Sequence, residues 1–410
     1  MKEFFKVLTI KKALELQNEF SLLETEQIKI TDAYNRIIAC DIISDINIPD
    51  FIRSTMDGYA VRSKSVFGAS ESNPAILSVK GSIEMGKPPD FEINIGESAK
   101  IATGAMLPKG ADSVVMVEHT DIIDNSEIQV YKSLVPFQHV VNIGEDFKKE
   151  EKIISKGQKL RPQEIGILAC LGYKNVLVYK KPEISIISTG DELVSIDKNP
   201  GYGKIRDINT YTLSSLIIKN GGIPNPIGIV KDDYKSLCIA FEKAVEQSDM
   251  IIVSGGSSVG TRDFTIDILE SLPDTKILLH GISIKPGKPT ILAKSKQKAF
   301  WGMPGHVTSA MIVFHSIVKH FIHHISGFTF FNDNNIQIPA ILSRNIASVQ
   351  GRTDFVRVKL IRENNTYTAQ PVIGKSGLLN TMIKSDGYFE IDINLEGKYK
   401  GELIWVTPFN

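Results

Sequence analysis

The chain has 410 residues, and its 47 lysines and arginines balance 47 aspartates and glutamates. A chain of this length exceeds one ordinary hydrophobic core, so we expect roughly two to four domains. The zero formal charge argues against an extended nucleic-acid-binding surface, and no run reaches the roughly 20 apolar residues of a membrane helix.

The N-terminus and the cysteines predict a cytoplasmic protein. The opening residues, MKEFFKVLTIKKALELQ, lack the apolar region and cleavage site of an export signal and indicate an amphipathic helix. Cys40, Cys170 and Cys238 lie far apart and form no CxxC pair. We interpret them as buried thiols in a reducing compartment.

The first part of the chain, residues 1–180, is predicted to be an elongated region with an inserted β domain. From Asn73 to about Val141 the sequence consists of short strand-like runs and turns, such as AILSVKG, DSVVMVEH and EIQVYKS. A predicted helix follows in RPQEIGILACLG, where proline suits the first turn and glycine the end. The inserted domain is therefore placed at about residues 55–145.

Residues 181–328 alternate predicted strands with predicted helices. The strands are EISIIS, PIGIV and DMIIVSGG, and the helices are TYTLSSLIIKNGG, DDYKSLCIAFEKAVEQS, TIDILESL and a long helix behind the Pro-Gly turn of GMPGHVTSAMIVFHSIVKHFIHHI. This alternation predicts a doubly wound α/β domain with a mostly parallel sheet. Right-handed crossovers would bring the carboxyl ends of its strands to one ligand-binding edge.

Residues 329–410 are rich in predicted strands again. FVRVKLI alternates apolar and polar residues, an ENNT turn follows, and TYTAQPV and ELIWVTPF are further strands. We predict a small C-terminal β-barrel. The whole chain is thus predicted to be a multi-domain protein of the α/β plus β class.

A glycine-rich loop follows the predicted strand DMIIVSGG. In SGGSSVGTRDF, the backbone around Gly255, Gly256 and Ser257 could approach a phosphate at the start of a helix. The spacing matches neither the dinucleotide GxGxxG nor the Lys-bearing Walker loop. The alternative is a strand–helix connection that requires glycine for its geometry alone.

Polar residues gather at the same predicted edge. The candidates for phosphate or Mg²⁺ binding there are Ser188, Thr189, Gly190, Asp191, Glu192, Asp207, Asn209 and Asp263. A hard cation that bridges carboxylates to phosphates would explain their joint occurrence. For each residue taken alone, helix capping or stabilisation of a first helical turn is the alternative.

Two lysines, Lys285 and Lys288, stand in KPGKP between two β-prone runs. The prolines restrict the backbone that carries them, and lysine is a compact charge that suits a tetrahedral oxyanion. At an effective dielectric constant near 20, one pair of opposite charges about 4 Å apart gains roughly 4 kcal/mol before desolvation costs. The pair is therefore a candidate site for a dianion, with an ordinary surface turn as the alternative.

Taken together, these motifs resemble the molybdopterin molybdenumtransferase family, the MoeA and gephyrin E-domain group. The resemblance spans nearly the whole chain and rests on STMDGYAV, IATGAMLPKGADSVVMVEH, NIGEDF, STGDEL, SGGSSVGTRDF, KPGKP, GMPGHVTSA and GRTDFVRV. It implies a Mg²⁺-dependent transferase that inserts molybdate or tungstate into adenylylated molybdopterin and releases AMP. It also implies a homodimer with an active site shared between subunits, acting on small molecules without nucleic acid or membrane, and it allows a separate molybdopterin adenylyltransferase as a partner.

The resemblance assigns roles to residues of this chain by motif match. Contacts to the oxyanion are assigned to Lys285, Lys288, Ser309, Arg352 and Ser376. Mg²⁺ binding is assigned to Asp191, Glu192 and Asp263, and binding of the nucleotide and pyrophosphate to Ser188, Thr189, Gly190, Asp207, Asn209, Gly255, Gly256 and Ser257. The facing subunit would contribute Asp57, Thr103 and Asp146, which could otherwise be turn and cap residues.

Two departures from the family pattern and two alternative functions stay open. At the turn before Ser309 this chain reads PGHVTS where relatives commonly read PGNPVS, so His306 and Val307 replace asparagine and proline and the turn is predicted to differ. Arg206 and Ile208 flank Asp207 where many relatives carry an aromatic residue and a serine. An adenylyltransferase acting on molybdopterin would consume ATP. A molybdopterin-binding scaffold would retain the fold and never release AMP.

Overall fold

The structure is a computed structural model that describes residues 7–124, 126–255, 261–329, 336–363 and 365–409, with only the backbone for 261–264. The chain divides into two compact units. The smaller unit comprises Asp41–Ser155 and Cys170–Gly172, and the larger comprises Met1–Cys40, Lys156–Ala169 and Tyr173–Asn410. The domain boundaries placed near residues 181 and 329 stay predictions.

The smaller unit is built on a β-sheet. In spatial order its strands are Ser113–Met116, Gly58–Val61, Glu97–Ile101, Ala75–Ser82, Glu127–Val130 and Thr120–Ile122. Two short ladders accompany it, Ile42–Ile43 with Lys152–Ile154 and Arg53–Ser54 with Val140–Val141. Ala60 packs into one hydrophobic cluster while Tyr59 and Val61 pack into another. Alternate side chains of a strand point to opposite faces, so this one apolar strand links two cores.

In the larger unit, segments from before and after the smaller unit pair with each other. The strand Thr25–Lys29 runs antiparallel to Asn175–Tyr179. The predicted helix in RPQEIGILACLG is confirmed as Pro162–Cys170. The prediction of three buried thiols is wrong, because Cys40 and Cys238 are half-buried and Cys170 is exposed at the end of this helix. Cys170 lies two residues beyond the buried Leu168 and therefore on a different face of the helix.

The predicted parallel sheet is present in the larger unit. Its strands lie in the order Ile223–Val230, Glu183–Thr189, Met250–Gly255, Lys298–Met303, Ile291–Ser295 and Thr275–His280. The first four run parallel, and the last two pair antiparallel with their neighbours. The mostly parallel arrangement is confirmed, and the two β-prone runs around KPGKP form its antiparallel edge.

Helices cover both faces of this sheet. They are Asn209–Lys219, Tyr234–Gln247, Thr261–Ser271, Val307–Val313 and Lys319–Ile325, with a π-helical turn over Phe314–Val318 and the N-terminal helix Ile10–Glu15. Ile184 and Ile186 pack into one core cluster, whereas Ile187 packs into the other. Burial on both faces confirms the doubly wound prediction. No helix among the described residues is both long and apolar enough to cross a membrane.

The strand Lys298–Met303 was not predicted from the sequence. The long helix does begin behind the Pro-Gly turn, at Val307, as predicted. The strand before the Pro-Gly turn is buried over most of its length. A fully buried strand has no alternating pattern, so hydrophobic periodicity does not distinguish it from a buried helical segment.

The C-terminal strands close into a five-stranded barrel, as predicted. Thr353–Glu363 pairs with both Thr366–Pro371 and Gly387–Ile391. Ile338–Leu342 pairs with Thr366–Pro371 and with Leu403–Pro408, and Leu403–Pro408 pairs with Gly387–Ile391 to complete the ring. The interior is filled by Ala340, Leu342, Val358, Ala369, Phe389, Ile391, Ile404 and Val406. Closure leaves this small sheet without free edges within the ring.

We expect Phe321→Ala to destabilise the larger unit by about 3–5 kcal/mol. Phe321 is fully buried, with its ring 4.9 Å from that of Trp301 and 5.7 Å from that of Phe20, so truncation leaves a cavity among aromatic rings. Unfolding in guanidinium chloride measures the change. The matched control Phe67→Ala removes a ring that is 84% exposed and should change stability by less than about 0.5 kcal/mol. Equal effects of the two substitutions would contradict the described core.

Candidate active site

A cleft of about 1020 Å³ opens in the larger unit. Its lining includes the KPGKP loop, the turn before the helix Val307–Val313, and two segments of the barrel. The five residues proposed to contact the oxyanion all line it: Lys285, Lys288, Ser309, Arg352 and Ser376. Residues 91 positions apart in sequence, from 285 to 376, thus converge on one cleft.

A short β-ladder brings the KPGKP loop to the barrel. The strand Ile284–Lys285 pairs in parallel with Thr353–Asp354, the start of a barrel strand. Asp354 is buried and lies between two cations: its Oδ1 accepts a hydrogen bond of 2.9 Å from Arg352 Nε, and its Oδ2 is 3.8 Å from Lys285 Nζ. This carboxylate therefore orients Lys285 and Arg352 in the same cleft.

The cleft carries more positive charge than the sequence analysis predicted. Its basic lining residues are Lys285, Lys288, Arg344, Arg352, Arg357 and Lys375, and its acidic lining residue is Asp354. Six cations against one carboxylate create a positive potential that attracts anions. Arg344, Arg357 and Lys375 were missed because each is a single basic residue in a strand-rich segment, and only closure of the barrel brings them together.

Arg357 joins the walls of the cleft. Its Nη1 donates to Thr308 Oγ1 at 3.2 Å and to Thr381 Oγ1 at 2.5 Å, and its Nη2 donates to the carbonyl of Gly374 at 3.1 Å. Burial lowers the pKa of the guanidinium, which remains charged at neutral pH because arginine titrates far above that range. The turn before Ser309 and the loop before Ser376 are thereby held by one side chain.

His306 also lines the cleft, at the position where the chain departs from the family pattern. Its Nδ1 lies 2.9 Å from Ser376 Oγ. Despite the predicted difference in the turn, Ser309 faces the cleft within the first turn of the helix that begins at Val307.

The carboxyl ends of the parallel strands form a second polar edge. Thr189 and Gly255 lie side by side at the ends of their strands, and Ser188 and Thr189 are buried. Gly255 has φ +116°, and a Cβ at this position would lie 1.9 Å from the carbonyl oxygen of Thr189. The close approach of the two strands therefore requires glycine. Gly256 and Ser257 lie outside the described residues, as does the side chain of Asp263.

Asp207 and Asn209 hold this edge together. Asp207 is buried and accepts hydrogen bonds from Thr210 N at 3.2 Å and Thr210 Oγ1 at 2.6 Å, which is the capping arrangement considered as an alternative. Asn209 Nδ2 donates to Ser254 Oγ and to the carbonyl of Gly305, each at 2.7 Å. Both residues therefore support the loops that carry the candidate site.

An additional carboxylate, Asp232, joins Asp191 and Glu192 at the strand ends. Thr189 Oγ1 donates to Asp232 Oδ1 at 3.2 Å, and the backbone N–H of Asp232 lies 3.5 Å from Asp191 Oδ1. Burial, with further contributions from Asp191 and Glu192, raises the pKa of the Asp232 carboxyl. Within the described residues, no group of three or more His, Cys, Asp or Glu side chains is arranged around a metal position.

The candidate residues of the smaller unit form a local contact of their own. Asp57 Oδ1 accepts a hydrogen bond of 2.7 Å from the backbone N–H of Thr103. Asp146 Oδ2 lies 3.9 Å from Arg53 Nη2, and both side chains of this pair are largely exposed. The structure thus brings Asp57 and Thr103 together and leaves Asp146 paired with another residue.

Comparisons with known proteins cover nearly the whole chain. Three family models match in sequence: "MoeA N-terminal region (domain I and II)" over residues 8–172, "Probable molybdopterin binding domain" over 185–324, and "MoeA C-terminal region (domain IV)" over 339–409. The molybdopterin molybdenumtransferase of Haemophilus influenzae is 34% identical over 389 residues, covering 94% of each chain.

One further relative in sequence and one solved structure are similar to this chain over most of its length. A protein of Methanocaldococcus jannaschii named for molybdopterin biosynthesis is 37% identical over 390 residues, which are 93% of this chain and 91% of the relative. The crystal structure of the molybdopterin biosynthesis MoeA protein of Pyrococcus horikoshii OT3 is 32% identical, covers 98% of this chain and 100% of its own, and superposes with a TM-score of 0.85. The chain belongs to the MoeA family of molybdopterin molybdenumtransferases.

Proposed function

We propose that this protein inserts molybdate or tungstate into adenylylated molybdopterin and releases AMP, in the biosynthesis of the molybdenum cofactor. The relatives named molybdopterin molybdenumtransferase are similar over nearly the whole chain, which supports this class of reaction. The observation that carries the proposal is the convergence of cations from the α/β sheet and the barrel on one cleft. A small tetrahedral dianion matches that charge and leaves room for an organic substrate beside it.

Lys285, Lys288 and Arg352 would bind the oxyanion directly. Lys285 is 60% exposed and Arg352 35% exposed, so solvent screens each contact in the open cleft. Entry of the organic substrate would exclude water and strengthen them, because the same charges attract more strongly at a lower effective dielectric constant. Ser309 and Ser376 would add hydroxyl donors from opposite walls of the cleft.

The protein groups would act by orientation and charge stabilisation. The described residues of the cleft provide cations and hydroxyls, fixed by Asp354 and Arg357. Such a site can hold the oxyanion against the dithiolene sulfurs of molybdopterin without a covalent protein intermediate.

The edge at Thr189 and Gly255 is proposed to bind the pyrophosphate and nucleotide. Gly255 stands at the end of its strand beside Thr189, and Ser188, Gly190, Asp207, Asn209, Gly256 and Ser257 are the further candidates. Asp191 and Glu192, with Asp263, would hold Mg²⁺. The oxygen donors fit a hard cation. Burial first, and then the nearby carboxylates of Asp191 and Glu192, raise the pKa of Asp232, and a divalent cation would offset the second of these contributions. Bound Mg²⁺ would supply charge neutralisation for the diphosphate.

We further propose a cytoplasmic homodimer with a shared active site. Asp57 and Asp146, as catalytic residues, and Thr103, as a substrate-binding residue, would come from the facing subunit. A separate molybdopterin adenylyltransferase could supply the adenylylated substrate.

The variant Lys285→Ala/Lys288→Ala tests the oxyanion assignment. With adenylylated molybdopterin, Mg²⁺ and limiting molybdate, and without ATP, we expect it to insert molybdenum about 100-fold more slowly than the wild type. That corresponds to a loss of about one factor of ten for each cation. Molybdenum content of the product and AMP release are measured together.

The matched control is Lys235→Ala/Lys243→Ala, which removes two exposed lysines of the helix Tyr234–Gln247 and should insert molybdenum at the wild-type rate. Equal insertion by the cleft variant and the wild type would refute the assignment of the two lysines. A wild-type protein that requires ATP, or that binds molybdopterin without releasing AMP, would refute the proposed reaction.

Asp232→Asn tests the electrostatics of the strand-end carboxylates. Because folded Asp232 holds its proton more tightly than an unfolded aspartate, the wild type loses stability as the pH rises above the ordinary aspartate range, about pH 4. The variant lacks this loss, so its thermal midpoint should exceed that of the wild type at pH 7, and the difference should vanish below about pH 4. Millimolar MgCl₂ should raise the wild-type midpoint at pH 7 more than that of the variant. A variant less stable than the wild type at pH 7, or equal shifts with MgCl₂, would contradict this description.

A further inference from the structure

His306 lies where the α/β sheet meets the cleft. It follows Gly305, whose carbonyl is held by Asn209, and it directly precedes the helix Val307–Val313. A residue at this position often caps the helix with its side chain, but His306 makes no such hydrogen bond. Its imidazole is exposed and lines the cleft instead. Local helix capping therefore does not account for the position of the ring.

The ring reaches across the cleft to the barrel. His306 Nδ1 lies 2.9 Å from Ser376 Oγ, between residues 70 positions apart in sequence. The imidazole also lies against Gly377, where an added Cβ would be 3.5 Å from His306 Cδ2. The contact joins a loop of the sheet to the barrel loop that carries one of the proposed oxyanion contacts.

The direction of this hydrogen bond decides what Ser376 can offer to an anion. A serine hydroxyl has a single proton to donate. If that proton goes to His306 Nδ1, only the lone pairs of Ser376 Oγ face the cleft, and they repel an oxyanion. If His306 donates from Nδ1 to Ser376 Oγ, the hydroxyl proton is free to bind an oxygen of the anion. The second arrangement is the one that suits an anion site.

The direction of this hydrogen bond matters because the ring lies among charged groups. The charged groups that line the cleft with His306 are Lys285, Lys288, Arg344, Arg352, Asp354, Arg357 and Lys375. These groups attract an anion by charge, whereas a hydroxyl proton fixes the position of a particular oxygen atom. A hydroxyl that faces the anion with lone pairs would offset part of the attraction supplied by the cations.

We propose that His306 is a positioning residue for the oxyanion: it donates from Nδ1 to Ser376 Oγ and so directs the serine proton to the anion. The inference rests on the proposed function in one respect, that this cleft binds molybdate. It assigns to His306 a role that acts through Ser376, and it predicts that an asparagine can replace the histidine, since its side-chain amide supplies an N–H at similar reach.

Calorimetric titration with sodium molybdate tests the proposal without the full reaction. We expect His306→Ala and Ser376→Ala each to weaken molybdate binding about tenfold, in keeping with loss of one charge-assisted hydrogen bond. We expect His306→Asn to bind within about threefold of the wild type. The double variant His306→Ala/Ser376→Ala should bind about as weakly as either single variant, because both changes remove the same donor.

The measurements distinguish a failure of the role of His306 from a failure of the proposed molybdate site. The control His119→Ala, in the smaller unit, should leave the molybdate affinity unchanged, and thermal melts verify that each variant is folded. Unaltered affinity in His306→Ala, a full tenfold loss in His306→Asn, or a further tenfold loss in the double variant would each overturn the role of His306. A wild-type protein that does not bind molybdate would instead overturn the oxyanion site itself.

Discussion

The candidate site depends on one short interaction, the pairing of Ile284–Lys285 with Thr353–Asp354. This parallel ladder connects a loop of the α/β sheet to the barrel strand Thr353–Glu363. It places Lys285 beside Arg352, and the buried carboxylate of Asp354 contacts both cations. Without the ladder, KPGKP would be an ordinary surface turn, the alternative that its sequence allows.

Hydrophobic packing stabilises the pairing of Ile284–Lys285 with Thr353–Asp354, although the cations of the cleft repel one another. Ile284 belongs to the same hydrophobic cluster as Phe355 and Tyr388 of the barrel and Val313 of the long helix. The barrel and the sheet therefore share a core directly beneath the cleft. Arg357 adds hydrogen bonds across the walls. A cleft with six cations and one carboxylate is held open by this shared core, and the repulsion among its cations becomes a source of affinity when an anion binds.

The sequence predicted the features that depend on local pattern. Alternating strands and helices gave the doubly wound sheet, and the strand-rich tail gave the barrel, because both follow from the spacing of apolar residues. The motif match selected five residues, from Lys285 to Ser376, that the structure brings to one cleft. Arg344, Lys375 and Asp354 were not predicted, because only closure of the barrel and the Ile284–Lys285 ladder bring their side chains to the cleft. Asp232 was not predicted as part of the site, because it is brought close to Asp191 only by pairing between neighbouring strands. The strand Lys298–Met303 was missed because burial on both faces removes its alternation.

The proposed function requires a tetrahedral metal oxyanion to bind between the KPGKP loop and the barrel. A crystal structure of the protein soaked with tungstate would locate this anion, because tungsten gives a strong anomalous signal. We expect an anomalous peak within hydrogen-bonding reach of Lys285, Lys288 and Arg352, with Ser376 Oγ directed toward it. A tungsten peak elsewhere, with both lysines turned to bulk solvent, would contradict binding of the oxyanion in this cleft.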